Sequence, residues 1–532
     1  MTRTISADNL PPFPADYRAA GVLLHVTSLP THYGIGDLGP AAHAWIDQLH
    51  QAGQSWWQAL PTGPTGYADS PYQALSSFAG NGLLISPDFL LEEGLLGAAD
   101  CAPGHVPPST AVDYPTVMSF KRGLLEPLYI RFTSQASPGL KNDFECFCQK
   151  NADWLDDYAL FRTLKALHHD AHYLHWPAPL VQREPAALAQ ARNDHACFID
   201  SIRLAQFLMF RQAKRLKQHA HARGIRLVGD LPFFVSPDSS DVWSHPELFL
   251  LDEHFHPRAV AGVPPDAFSA DGQRWGNPLY NWDALRQTGF RWCIQRIRAL
   301  LNYVDVIRLD HFRAFAAAWH IPADSHGARH GQWVPGPGAP FFHAVQRELG
   351  ALPFIAEDLG LITPDVLALL DQFHLPGNRV LQFAFDGDPA NPHLPENHTH
   401  NTVAYTATHD NPTTRQWFDE LTEHDRRALR LYLGHAVAPT DAAGELIQLA
   451  WSSRAALAIV PMQDLLNLGA EGRMNRPGSP DGNWRWRCTH EMCLTPAWEK
   501  LTQWTFAAAR QSALTPETHS ANGTKVQYPR QN

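Results

Sequence analysis

The chain is short of positive charge. Its 532 residues carry 42 Lys and Arg against 53 Asp and Glu, a formal net charge of −11. A nucleic-acid groove or an anionic membrane surface calls for the opposite balance, so neither partner is expected. Charged residues make up only 18% and hydrophobic ones 44%, a globular composition that excludes a disordered chain. No apolar run reaches the ~20 residues needed to span a bilayer. Cysteine is sparse, an odd set of 7 at Cys101, Cys146, Cys148, Cys197, Cys293, Cys488 and Cys493 with no paired framework. The opening "MTRTISADNLPPFPADYRAAG" lacks the apolar centre of a secretory signal. Together these absences predict reduced thiols in a cytoplasmic protein. Its ligand is expected to be neutral and held by hydrogen bonds.

Metal-ligand patterns are missing too. There is no CxxC pair, no H-E-x-x-H and no acidic calcium loop. His168, His169, His172 and His175 crowd one stretch, and the four-residue spacing of His168 and His172 would put both on one helix face. With no third ligand they read as a solvated face. No metal and no cofactor are expected.

Aromatic residues, by contrast, are plentiful: 11% of the chain, with 17 Trp. Most must be core, but indoles also serve as flat platforms for sugar rings. Short apolar runs alternate with helical patterns. The runs are Gly21–Leu29, Ser55–Leu60, Leu227–Val235, Val304–Leu309, Pro353–Leu359, Arg379–Phe385, Thr402–Thr408 and Ala458–Met462. Eight buried strands with helices between them predict an α/β fold, a (β/α)8 barrel, as a single catalytic unit over residues 1–532. Uneven spacing predicts a helical insertion over 88–201 and a loop-rich one over 236–288, the latter of the long kind that carries function. The tail from Ser512 reads as frayed.

Gly34-Ile35-Gly36-Asp37-Leu38-Gly39 fits the G-x-G-x-x-G dinucleotide pattern. Four residues separate it from the preceding apolar run, and the next run, "SWWQAL", ends without an acid. Both features disagree with a nucleotide site. Tight turning above the barrel is the better reading.

Barrel chemistry sits at the C-terminal ends of the strands. Asp310 ("VIRLDHF"), Glu357 ("FIAEDLG"), Asp410 ("YTATHDN") and Asp230 ("LVGDLPFF") all close apolar runs. Each alone could cap a helix or pair with Arg. Four on different strands point to a shared pocket, and paired carboxylates are the apparatus of glycoside cleavage. Arg308 lies two residues before Asp310 and so points to the same face, where a guanidinium would hold Asp310 ionised.

In order along the chain stand "GVLLHVTSLPTHYGIGDLG", "PTGPTGYADSPYQALSSFAGN", "VGDLPFFVSPDSSDVWSHPELF", "GVPPDAFSADGQRWGNPLY", "VIRLDHFRAF", "IAEDLGLITPDV" and "NWRWR". Together they resemble the 4-α-glucanotransferases called amylomaltases or disproportionating enzymes, glycoside hydrolase family seventy-seven, over roughly 21–487. The resemblance implies transfer between α-1,4-glucans and maltooligosaccharides by a retaining double displacement. In it Asp310 is the nucleophile, Glu357 the general acid/base, and Asp410 the acid that holds the sugar hydroxyls. It implies that His409, His311 and Arg308 surround the cleaved ring. Ser70, Tyr72, Asp266, Gln273, Trp275 and Asn475 would line the glucan path, with Asp230 beside them. The stretch from Gly262 to Trp275 is the candidate closing loop. Ala267, Ala314, His320 and Pro412 depart from the residues common at those places, which leaves acceptor preference open. An α-glucan hydrolase with the same carboxylates and a catalytically silent glucan-binding protein are the alternatives. Oligomeric state is not legible.

Overall fold

The computed structural model describes residues 10–265, 270–479 and 481–511. Asp266, Ala267 and the tail from Ser512 lie outside them. Among the described residues twelve strands follow one another: β1 (Ala19–Leu23), β2 (Trp56–Gln58), β3 (Arg226–Leu231), β4 (Ala259–Val263), β5 (Gln273–Pro278), β6 (Val306–Leu309), β7 (Ala317–Pro322), β8 (Gln332–Pro335), β9 (Phe354–Ala356), β10 (Gly377–Val380), β11 (Thr402–Tyr405) and β12 (Leu457–Pro461). Eight of them close a barrel in the order β1-β12-β11-β10-β9-β6-β3-β2. Every neighbouring pair in it is parallel. The fold is a (β/α)8 barrel, and each of the eight apolar runs supplies one of its strands.

All barrel strands but β12 are shorter than the runs that predict them. The run expected to reach Leu29 leaves the sheet at Leu23 and makes a 3₁₀ turn over Val26–Ser28. The run expected to reach Phe385 ends at Val380 and turns over Leu381–Phe383. Both overshoots have one cause. The first loop residues beyond the strand are as buried as the strand itself, Val26 and Leu381 among them, so hydrophobicity alone does not mark the end. Between β2 and β3 the chain is helical, ending in the 27-residue helix Ala196–Ala222. Two glutamines on that helix grip the loop that follows β2. Gln206 exchanges hydrogen bonds with the backbone of Gly80, and Gln212 does the same with Ser86.

Sequence pattern does not reveal the second sheet. The stretch 236–288 contains β4 and β5, which pair antiparallel with β7 and β8 in the order β5-β4-β7-β8. Only β4 (AVAGV) reads as an apolar run; β5, β7 and β8 mix buried, half-buried and exposed residues and carry none. The histidine stretch also differs from expectation. The helix Ala152–Leu167 stops at Leu167, and His169 and Asp170 are left-handed with φ of 55° and 57°, so His168 and His172 do not share a helix face. Among the described residues no group of His, Cys, Asp or Glu is arranged to hold a metal ion.

The glycine pattern is explained by close approach. The Gly36 N–H donates to the Thr27 carbonyl at 2.8 Å, and a Cβ on Gly36 would lie 1.9 Å from the Val26 carbonyl oxygen. Gly39 caps the helix Pro40–Gln51, and its N–H donates to the buried Asp37 carboxylate at 3.0 Å. The Gly39 N–H, one of the donors a pyrophosphate would use there, is therefore already taken by a carboxylate of the protein itself. Gly36→Ala is expected to destabilise the fold by about 1–3 kcal/mol through backbone displacement, read as a lower urea midpoint. An unchanged midpoint would contradict this account of the turn.

Candidate active site

The strand ladder sets the carboxylates in layers. Asp230 on β3 lies in register with Arg308 on β6. One step beyond the paired Leu309 and Ala356 come Asp310 and Glu357, on neighbouring parallel strands. Arg308 and Asp310 are two apart and share a face, as the alternation of a strand requires. Arg308 Nη1 donates to both Asp230 oxygens, at 3.0 and 2.8 Å, and to Asp310 Oδ1 at 3.0 Å.

Exposure separates the two acids. The Asp230 side chain is 0% exposed and that of Asp310 27%. Asp230 lies beneath the cleft and reaches it through others, whereas Asp310 faces it. Burial disfavours charge on Arg308, but Asp230, Tyr72 and Asp310 hold its pKa well above the ordinary guanidinium value. Burial pushes Asp310 above the usual carboxylate range, and Arg308 acts against that push.

Glu357 is held by backbone donors, and burial acts against its charge. Its Oε2 accepts the His311 N–H at 2.8 Å and its Oε1 the Leu359 N–H at 3.3 Å. Burial raises its pKa to about 8; Arg308 opposes that, and the nearby Asp310 adds to it. His311 adopts φ 48° and ψ 50°, a left-handed conformation uncommon for a side-chain-bearing residue. That turn aims its N–H at Glu357. Burial lowers the imidazole pKa to about 3, so the ring is neutral. Asp358, the next residue after Glu357, points to the other side, ion-paired to Arg379 at 3.0 Å and accepting the Asn378 N–H at 2.6 Å.

Asp410 stands across the cleft, its side chain 46% exposed. Asn475 Nδ2 donates to its Oδ1 at 2.6 Å, and His409 Nε2 lies 3.4 Å from the same oxygen. Tyr72 donates its hydroxyl proton to Asp230 at 2.9 Å and is 2.9 Å from His409 Nε2. With that proton already given to Asp230, Nε2 must be the donor to Tyr72, which fixes the histidine tautomer. The two rings stack at 5.3 Å.

The Ser70 hydroxyl accepts the Tyr72 N–H at 3.2 Å and shapes that turn. On β5, Gln273 Oε1 accepts the Trp275 indole N–H at 3.1 Å, and the Trp275 ring meets His311 edge-on at 4.8 Å. The sequence-named residues thus gather in one place, except Asp266, which lies outside the described residues. Trp484 is an addition. Held at φ 63°, it packs 5.7 Å from Tyr72 and 6.0 Å from His409. Only its place in "NWRWR" could have signalled it, and that does not distinguish it from Trp486.

Among the departures, Ala314 is fully buried, and the Pro412 carbonyl accepts from Gln382 Nε2 at 3.0 Å. His320 lies in β7, its pKa lowered to about 4 by burial.

A family model described as 4-alpha-glucanotransferase matches residues 24–493. The chain is 47% identical over 477 residues to the 4-alpha-glucanotransferase of Synechocystis sp., covering 89% of this chain and 94% of that one. It is 46% identical over 476 residues to that of Thermus thermophilus, covering 88% and 94%. The amylomaltase from Streptococcus agalactiae in complex with acarbose superposes with a TM-score of 0.89 at 36% identity, covering 93% of this chain and all of that one.

If Glu357 works as an acid, the form that works is the protonated one, present below its pKa and lost as pH rises through about 8. kcat/KM for maltotriose should therefore fall on an alkaline limb centred near 8. A limb centred near the ordinary carboxylate value, or none up to pH 10, would contradict the assignment.

Proposed function

The chain belongs to the 4-alpha-glucanotransferase family and transfers glucan segments, and from that premise we propose how its own residues divide the work. Asp310 attacks C1 of an α-1,4-linked glucose while Glu357 gives its proton to the departing oxygen. A glucosyl ester on Asp310 results. Glu357, now a base, takes the proton of an acceptor 4-hydroxyl, and that oxygen displaces Asp310. Two inversions give net retention. Asp410 holds sugar hydroxyls as positive charge develops at C1. Ser70, Tyr72, Gln273, Trp275 and Asn475 line the glucan path, with Trp275 and Trp484 as stacking faces.

One observation carries this reading: Asp310 and Glu357 follow a register pair on adjacent parallel strands. Such strands lie about 4.8 Å apart. Carboxylates on such neighbouring positions are expected to stand close together, as the roughly 5 Å of a retaining enzyme requires and the roughly 6.5–9.5 Å of an inverting one does not. The Arg308 contact supports the nucleophile role, and the raised pKa of Glu357 supports the acid role. We also read the protein as a cytoplasmic, single catalytic unit that uses no metal or cofactor. No described helix is long and apolar enough to cross a membrane.

Three experiments test the proposal. Asp310→Asn keeps size and loses the anion, so transfer should fall by several orders of magnitude while maltooligosaccharides still bind. Retention of about a tenth of the wild-type rate would remove Asp310 from the role. Glu357→Ala should still react with α-glucosyl fluoride, whose leaving group needs little acid help. Azide, which needs no base, should restore turnover on the fluoride and not on maltotriose. Equal loss on both donors with no azide effect would make Glu357 structural. With maltotriose alone, products longer than the donor should appear; glucose and maltose without longer chains would favour the hydrolase.

A further inference from the structure

Two buried thiols face each other at the end of the segment that carries Asn475 and Trp484. The Sγ atoms of Cys488 and Cys493 are 3.5 Å apart. The 3₁₀ turn Glu491–Leu494 brings them together, with the Cys493 N–H donating to the His490 carbonyl at 3.1 Å. The spacing C-x-x-x-x-C lies within the range of zinc-ligand pairs, but among the described residues no further ligand completes a metal set. We propose that Cys488 and Cys493 are a thiol–disulfide modification site whose closure alters the glucan cleft.

A disulfide bond is about 2.05 Å long, so the sulfurs must approach by about 1.5 Å. Both residues are anchored, so that approach pulls on something. The Cys488 N–H donates to the Ser28 carbonyl at 2.8 Å, and the Cys493 carbonyl accepts from the Gln48 side chain. Cys488 is the more tightly built in. The Ser28 hydroxyl donates to the Trp486 carbonyl at 2.7 Å, and Arg487 donates to the carbonyls of Leu29 and Thr31. Four residues before Cys488 stands Trp484, against Tyr72 and His409. Closing the bond therefore strains the hydrogen-bonded segment 484–488, which ends at the wall of the site.

The chemistry is asymmetric. Cys493 is 8% exposed and Cys488 1%, so a small oxidant reaches Cys493 first. A hydrogen bond from Cys488 holds the Cys493 thiol below its ordinary pKa, which favours the thiolate. With hydrogen peroxide as oxidant, the Cys493 thiolate attacks one oxygen and becomes a sulfenic acid; the other oxygen leaves as hydroxide and is protonated to water. The Cys488 sulfur then attacks the sulfenic sulfur and a second water departs. Two thiols and one peroxide yield one disulfide and two waters. A dithiol reductant reverses the bond by exchange. In a reducing compartment such a bond is transient, the usual form of a sensing disulfide.

The test is made on the full chain. Peroxide treatment, alkylation of the remaining thiols and peptide mapping should show residues 488–493 cross-linked, lighter by two hydrogens and protected from alkylation. The exposed Cys146 and Cys197 should take the alkylating group. The KM for maltotriose should shift by at least about twofold on oxidation and return with dithiothreitol. In Cys488→Ser and in Cys493→Ser the peroxide-dependent shift should be absent; mapping of the wild-type chain stands even if either variant folds poorly. Free Cys488 and Cys493 after treatment, or Cys493 driven to sulfinic acid without a cross-link, would overturn the site. A complete cross-link with unchanged KM would overturn the coupling to the cleft. The mapping reads the bond itself and does not depend on the roles of Asp310 and Glu357.

Discussion

Arg308 brings a full positive charge into the barrel, and the arrangement around the cleft follows from the need to satisfy it. An unpaired guanidinium there would be far too costly. It has two carboxylates on one nitrogen, Asp230 below and Asp310 above. Removing either partner of such a buried pair typically costs about 3–5 kcal/mol, so the contact is structural and chemical at once. From Asp230 the chain of contacts runs through the Tyr72 hydroxyl to His409 and on to Asp410. The opposite wall of the cleft is therefore held in place by the same charge.

The two carboxylates that face the cleft are neighbours in one ladder and still have different partners. Arg308 touches Asp310 directly, whereas Glu357 receives only backbone N–H donors and lies near the Asp310 charge. Burial raises both. Arg308 acts against both shifts but touches only Asp310. Pushing apart the pKa values of two adjacent acids is the general way an enzyme keeps a nucleophile and a proton donor in one pocket. His311 takes part through its backbone. Its left-handed turn supplies the N–H that aims Glu357.

Much of this is written in the sequence, and the omissions have physical reasons. Buried parallel strands read as plain apolar runs, so the eight barrel strands are visible, and an acid closing such a run marks the catalytic end. The i, i+2 relation of Arg308 and Asp310 is local and correctly places them on one face. Register is not local. That Asp230 stands opposite Arg308, and Asp310 level with Glu357, depends on how distant strands slide past one another. Most strands of the second sheet mix buried and exposed residues without a clear period, and the helical spacing of His168 and His172 misleads because the helix ends at Leu167. Trp484 could not be told from its neighbours, because its role depends on the φ of 63° that turns it inward. Nor does the spacing of Cys488 and Cys493 announce a pair, since a turn of the chain brings the sulfurs together.

The central claim is that the charge-held Asp310 forms a bond to the sugar. The most direct measurement is to trap that bond: react Glu357→Ala with α-glucosyl fluoride, quench in acid, digest, and locate the added glucosyl unit by mass spectrometry. The account predicts the unit on the peptide bearing Asp310, fragmenting to that side chain. Finding it on Asp410 or Glu357's neighbour Asp358, or finding no adduct while fluoride is still released, would contradict it.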